Sequence, residues 1–415
     1  MPEALRVCLN ATLSDGLHGG VQQIVIGLAQ GLSQLDDAPG TYQFLAYRDS
    51  CEWLKPYLKG PCALLEGPAA PRPARGLKRW LKPLKGLPPF KQRLEARALQ
   101  VPASGGWAEK AGAQAIHFPY QEGFLTALPS FYQPHDLQHL SYPENFSAQE
   151  SRRREAVYRR LCQQAEAVVL MSRWGKRDLM QRYGQPSEKV AVVAGGSVTG
   201  GYPSPGEEDL RQLRAAFDLP ERFFYYPAQT FPHKNHARLL RALKVLKDEG
   251  LTVGLVCSGA RDQHYPALAR LAASLGLSAQ VRFVGFVSPV QVAGLYRLCQ
   301  GMVFPSLFEG WGLPVTEALE NGVPVACADA SCLPEQVQGA ALLFDPLDEA
   351  SIAAALRRLW TEEALREALA EKGRARARDL TWASAARSFR ALYRRAAGQP
   401  LDEEDQSLVR ACFEL

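Results

Sequence analysis

The chain has 415 residues, 47% of them hydrophobic and 22% charged, a balance that excludes a disordered or fibrous chain and gives room for two domains. No apolar run approaches the ~18 residues that cross a bilayer, and the opening Met1-Pro2-Glu3-Ala4-Leu5-Arg6 lacks the charged-then-apolar pattern of a secretory leader. The nine cysteines form no Cys-x-x-Cys pair and lie in apolar stretches, which argues against a disulfide scaffold or zinc site and for reduced thiols in a cytoplasm.

In chain order, Leu5-Arg6-Val7-Cys8-Leu9 reads as a strand and Gly16-Leu17-His18-Gly19-Gly20 as a turn. Val21, Ile24, Val25, Leu28, Leu32 and Leu35 then mark the buried stripe of a helix. Strand, glycine turn and helix open a βαβ unit. Further strands are expected at 43–46, 115–117 and 167–171, with a helix over 150–164. The net charge of +5 is unevenly spread, because residues 72–97 hold nine Lys or Arg against the single acid Glu95. Glycines and prolines crowd into 195–206, a boundary between halves. Beyond it, strands at 222–226, 251–257, 281–284, 301–304, 323–327 and 341–344 alternate with helices at 235–248, 265–275, 289–298, 314–320 and 349–360. Such alternation implies parallel strands with right-handed crossovers. The expected class is α/β: two Rossmann-like, doubly wound parallel-sheet domains facing across a cleft, an N-terminal one at 1–198 and a C-terminal one at 199–379.

The most informative stretch is Ser306-Leu307-Phe308-Glu309-Gly310-Trp311-Gly312-Leu313-Pro314-Val315-Thr316-Glu317-Ala318-Leu319-Glu320-Asn321-Gly322. It follows a strand, turns on glycines and enters a helix with Pro314 in the tolerated first turn and Gly322 just past the end. The amides near Gly312 and Leu313 are expected to point outward and receive a diphosphate, as unpaired donors at a helix N-terminus do. Glu317, one turn into the helix, can accept both hydroxyl hydrogens of a ribose diol. Glu309, in the loop, falls where a sugar beyond the phosphates would sit.

This stretch resembles the retaining GT-B glycosyltransferases with a Glu-x7-Glu signature, the glycosyl transferases group 1 or family 4-like enzymes. Glu309 and Glu317 stand at that spacing, and the Phe-Glu-Gly-x-Gly-Leu-Pro and Glu-Ala-Leu-x-x-Gly-x-Pro-Val contexts match with them. The resemblance implies a donor site made of Glu309, Gly310, Trp311, Gly312, Leu313 and Glu317. Pro232-His233-Lys234-Asn235 resembles the segment whose lysine contacts the donor phosphate, so Lys234 takes that role. Some relatives carry an arginine six residues earlier; here Ala228 stands there, and Arg261 is a candidate for the missing cation. Pro134-His135-Asp136-Leu137-Gln138-His139 is similar to the segment whose histidine lies by the reacting sugar, which points to His135, with His139 as the alternative. Gly19 and Gly20 match the glycine turn that lets backbone approach the donor. Ser172-Arg173 also fits the family pattern, although Ser172 reads better as a helix cap. The segment from Leu380 resembles the closing helix that crosses back to the N-terminal domain, so 380–415 is read as crossover helix and tail. By resemblance the reaction retains anomeric configuration, with GDP-mannose or a UDP-hexose as donor. Cations replace a metal, no cofactor is required, and Glu309 is either a nucleophile or, as favoured here, a stabiliser of the sugar.

Within 72–97, Lys78, Arg79, Trp80, Lys82 and Lys85 interleave cations with an aromatic, and Pro83, Pro88 and Pro89 break any long helix. Such a strip suits an anionic membrane surface and a lipid-linked acceptor, which would make the enzyme peripheral on the inner face of the plasma membrane. An acceptor-side loop that is merely basic fits equally, and nothing else in the chain supports nucleic acid. The expected activity is hexosyl transfer to a glycan or lipid-linked acceptor in bacterial surface polysaccharide or glycolipid synthesis. A nucleotide-sugar epimerase or an inactive nucleotide-sugar-binding protein of the same fold is the alternative.

Overall fold

The computed structural model describes residues 4–14, 19–71 and 99–414. The basic stretch 72–97, with Lys78, Arg79, Trp80, Lys82 and Lys85, lies outside the described residues. The chain forms two compact units. One comprises Met1–Met171, Lys176–Val193 and Trp382–Leu415; the other comprises Ser172–Gly175 and Ala194–Thr381.

The first unit is built on one parallel sheet of seven strands: β1 Val7–Asn10, β2 Tyr42–Ala46, β3 Cys62–Glu66, β4 Ala115–Phe118, β5 Ser130–Tyr132, β6 Ala167–Leu170 and β7 Val190–Val192. Their spatial order is β3-β2-β1-β4-β5-β6-β7. Val7 aligns with Tyr42 on one side and Ala115 on the other. Strands β1, β4 and β6 are buried along their whole length, as expected of parallel strands covered by helices on both faces. The helix Gly19–Leu32 buries Ile24, Val25, Leu28 and Leu32, the stripe legible in the sequence. Against it packs the helix Trp382–Ala396, whose Trp382 fills the space left by Gly27 and Gly31. Tyr393 of the same helix meets the buried His117 of β4, hydroxyl to Nδ1 at 2.6 Å. Arg394 bonds Asp37 at 3.1 Å and the fully buried Asp405 at 2.8 Å.

The second unit has six parallel strands: β8 Phe224–Pro227, β9 Leu255–Ser258, β10 Val281–Gly285, β11 Gly301–Phe304, β12 Val325–Ala328 and β13 Ala341–Phe344. They are ordered β10-β9-β8-β11-β12-β13. Between them run the helices His236–Asp248, Tyr265–Ser274, Pro289–Leu298, Leu313–Glu320 and Leu333–Val337, and the helix Glu349–Thr361 follows β13. The first of these buries Leu239, Leu240, Leu243 and Leu246, the apolar face its period demanded. Strands β8 and β9 begin two and four residues later than the sequence suggests. Arg222 is drawn instead into hydrogen bonds with Gln300 and the Trp360 carbonyl, and Gly254 packs directly against the Arg222 carbonyl. Both sheets reverse their winding direction beside their first strand, between β1 and β4 and between β8 and β11. In such sheets the crevice at the carboxyl ends of those strands is where ligands bind.

Among the described residues no helix is long and apolar enough to cross a membrane. None of the nine cysteines is paired; eight are buried and Cys299 is half-buried.

Candidate functional site

At the switch point of the second unit, β8 runs into Ala228–Lys234 and β11 into Pro305–Gly312. These two loops carry the lysine and the first acid singled out in the sequence. Lys234 Nζ donates to Glu309 Oε1 at 2.6 Å, with only 19% and 11% of the two side chains exposed. The ammonium also lies 5.6 Å from the centre of the Phe304 ring.

The two loops are tied to each other by backbone groups. The Leu307 N–H donates to the His233 carbonyl at 2.8 Å, and the buried Tyr226 hydroxyl donates to the Lys234 carbonyl at 2.6 Å. Asn235 adopts the left-handed conformation at φ 60°, ending the short turn Pro232–Lys234 so that the next helix can start. Its side-chain amide donates to the carbonyls of Pro305 (3.1 Å) and Pro346 (2.7 Å), fixing the start of the Glu309 loop. The Glu309 N–H donates to Ser331 Oγ at 3.0 Å. Burial, reinforced by Lys234, pushes the imidazoles of His233 and His236 down to about 3, so both are neutral and Lys234 is the cation of this turn.

Glu317 stands on the helix Leu313–Glu320 with 9% exposure. Its Oε2 accepts the Tyr296 hydroxyl at 2.9 Å. Burial raises its pKa to about 7, with Glu320 adding to the rise and the Tyr296 bond opposing it. The helix start itself differs from the sequence expectation. The Gly312 N–H does not point outward: it donates to Gln336 Oε1 at 3.2 Å, while Gln336 Nε2 returns a bond to the Gly312 carbonyl at 2.9 Å. The Leu313 N–H turns back to the Trp311 carbonyl at 3.2 Å. A fully buried glutamine that clamps both polar groups of Gly312 leaves neither amide as an anion cradle. Beside this clamp the Trp311 indole N–H is buried without a partner, and the Gly310 carbonyl accepts from Ser172 Oγ at 3.3 Å. Ser172 also caps the following helix through the Gly175 N–H at 3.0 Å. Glu335 completes that cap, accepting the N–H groups of Arg173 and Trp174 at 2.7 and 2.9 Å.

Arg261 does not join the Lys234–Glu309 pair. Its guanidinium donates to the Phe283 carbonyl and lies 4.7 Å from the centre of the Tyr265 ring.

In the first unit, Gly19 and Gly20 open the helix after β1, Gly19 at φ 47°. His135 follows β5 in the left-handed region at φ 67°, a strained conformation for a residue with a Cβ. Neither ring nitrogen makes a well-formed hydrogen bond, and burial lowers its pKa to about 4, an effect that the nearby Pro119 carbonyl opposes only in part. His139 is committed elsewhere, its Nε2 2.9 Å from Glu155. Of the two histidines, His135 therefore has its polar atoms unspent. Among the described residues no group of three or more His, Cys, Asp or Glu is placed to hold a metal ion.

Sequence reasoning missed Tyr296, Ser331, Glu335 and Gln336. Tyr296, Ser331 and Gln336 lie 21, 22 and 24 positions from the groups they serve and Glu335 lies 161 from Trp174, so no local pattern marks them.

The chain is similar to known proteins. The model of the family described as glycosyl transferases group 1 matches residues 211–376. The O-antigen chain mannosyltransferase B of Escherichia coli is 26% identical over 300 residues, 70% of this chain and 76% of that protein. A D-inositol 3-phosphate glycosyltransferase of Corynebacterium kroppenstedtii is 30% identical over 312 residues, 69% of this chain and 68% of that one. Among solved structures, Anabaena HepE in complex with UDP and glucose superposes with a TM-score of 0.67 at 18% identity, covering 94% of this chain and 99% of that chain.

Proposed function

The chain belongs to the glycosyl transferases group 1 and is a glycosyltransferase of GT-B fold, and from that premise we propose that it moves a hexose, with retention and without a metal, from a nucleoside diphosphate sugar to a glycan or lipid-linked acceptor. The observation that carries this reading is the Lys234–Glu309 pair, set by two loops at the switch point of a doubly wound sheet. A diphosphate leaving group gathers negative charge as the bond to the anomeric carbon breaks, and Lys234 is positioned to neutralise it. Glu309, next to that lysine, steadies the positive charge on the sugar ring and holds its hydroxyls. The acceptor oxygen attacks the same face, and its proton passes to the departing phosphate oxygen. Glu317 receives the ribose diol, and the unpartnered donors of Trp311 and His135 are free for donor oxygens, each in its own unit.

The E. coli relative is named a mannosyltransferase and HepE was solved with UDP and glucose, which supports GDP-mannose or a UDP-hexose as donor. The O-antigen relative also supports a product in bacterial surface polysaccharide or glycolipid. The basic residues at 72–97 then favour an anionic lipid surface as the place where the acceptor is met.

A panel of nucleotide sugars, followed by release of UDP or GDP with and without EDTA and with phosphatidylglycerol vesicles, tests the reading. Turnover should survive EDTA, rise with the vesicles and fall about 10²–10³-fold in Lys234→Ala. Release of neither nucleotide from any donor would overturn it.

A further inference from the structure

Glu317 cannot by itself present two oxygens in a fixed direction, because a glutamate carboxylate rotates freely about its last bond. In this chain one oxygen is held. The Tyr296 hydroxyl, 2% exposed on the helix Pro289–Leu298, donates to Glu317 Oε2 at 2.9 Å, and its next acceptor, the Pro314 carbonyl, is farther at 3.3 Å. Tyr296 is itself set by Tyr225 of β8, ring centres 5.1 Å apart and nearly perpendicular, and Tyr225 is anchored through its hydroxyl to Ser258 Oγ at 2.6 Å. A chain of contacts through three elements thus ends on one carboxylate oxygen.

We propose that Tyr296 is a positioning residue for donor recognition: it pins Oε2 of Glu317, fixing the plane of the carboxylate so that Oε1 and the free lone pair of Oε2 accept the two ribose hydroxyls. The inference rests on the proposed role of Glu317 and adds the group that makes that role geometrically possible. The titratable groups facing Glu317 are Tyr296 from its helix, Tyr225 from β8 and Glu320 on Glu317's own helix, and none of them is a cation. Burial raises the carboxylate's pKa to about 7, and among these groups only the tyrosine hydrogen bond opposes that rise and favours the charged, accepting form. Burial and Glu317 itself push the Tyr296 phenol well above its ordinary range, so it remains a donor at every working pH.

The test measures binding of GDP and UDP, and of their 2′,3′-dideoxy forms, to the intact chain, Tyr296→Phe and Glu317→Ala, across pH 5.5 to 9. Tyr296→Phe should weaken the ribonucleotide about tenfold and the dideoxy form little. It should also move the acid limb of ribonucleotide binding to higher pH, and raise the donor KM more than it lowers kcat. Unchanged affinity and an unchanged limb would overturn the inference. Equal weakening of ribo and dideoxy forms, with a lowered Tm, would overturn it as well, since that is the mark of packing alone. If Glu317→Ala leaves the ribo-to-dideoxy ratio as in the intact chain, the diol reading of Glu317 fails, and the role of Tyr296 with it.

Discussion

Lys234 and Glu309 neutralise each other across 2.6 Å in a setting where little of either side chain meets water. A phosphate that approaches Lys234 must compete with that carboxylate, and a sugar that approaches Glu309 must compete with that ammonium. Binding a complete donor replaces one ion pair with two new contacts, so the pair costs little to open when both halves of the donor are present. A nucleoside diphosphate without its sugar opens the pair and leaves Glu309 uncompensated. Glu309→Gln should therefore bind GDP or UDP more tightly, by about threefold to tenfold, because the lysine is released from its counterion. Turnover of the donor sugar should fall by at least about 10²-fold in the same variant, because the charge facing the ring is gone. Calorimetric titration of the nucleotide beside single-turnover assays separates the two effects. Weaker nucleotide binding would mean that Glu309 aids the phosphate site rather than restraining it.

At the scale of elements, the loops after β8 and β11 hold the pair, and Asn235 holds the loops. It combines a left-handed backbone with two hydrogen bonds to carbonyls that are otherwise closed off from water. Asn235→Gly keeps the backbone conformation and loses the bonds, for an expected cost of about 2 kcal/mol. Asn235→Ala adds the strain of a Cβ at φ 60°, about 1 kcal/mol more. Urea denaturation should rank the three in that order, and an alanine variant as stable as the glycine one would show that the conformation carries no cost here. This element was partly legible in the sequence: Pro-His-Lys-Asn pointed to Lys234, and the Ser306–Gly322 run pointed to both acids. What stayed hidden was the tertiary partner of each group. The Gly312 amide appears free when the chain is read locally, and only the fold brings Gln336 against it. Strands β3, β5 and β7 went unread for a related reason. Strands β5 and β7 have three residues each, too few to show a period, and β3 is an edge strand with one buried residue and so lacks a buried run. The helices 236–248 and 289–298 and strands 301–304 and 341–344 were legible because their apolar residues repeat along one face or form a continuous apolar run.

At the scale of the whole chain, the first unit is closed by its last segment: Tyr393 reaches His117 across 276 positions and Arg394 reaches Asp37 across 357. Contacts that distant carry a large loop-closure cost and hold only if the docking surface fits. The fit depends on two glycines of the helix Gly19–Leu32, and the two differ in kind. A Cβ on Gly27 would lie 1.9 Å from the Trp382 indole, a side chain that substitution can shrink. A Cβ on Gly31 would lie 2.2 Å from the Trp382 carbonyl oxygen, which belongs to the backbone and cannot be trimmed. Each alanine variant should cost about 1–3 kcal/mol or more and speed tryptic cleavage within the helix Trp382–Ala396. Adding Trp382→Leu should return much of the lost stability to Gly27→Ala and none to Gly31→Ala, because only the first clash is with a side chain. Thermal melts of the two double variants beside their parents decide the matter. Equal rescue of both would mean that the helix moves as a body to accept a methyl group, and that its docking tolerates displacement more than the close approach at Gly31 implies.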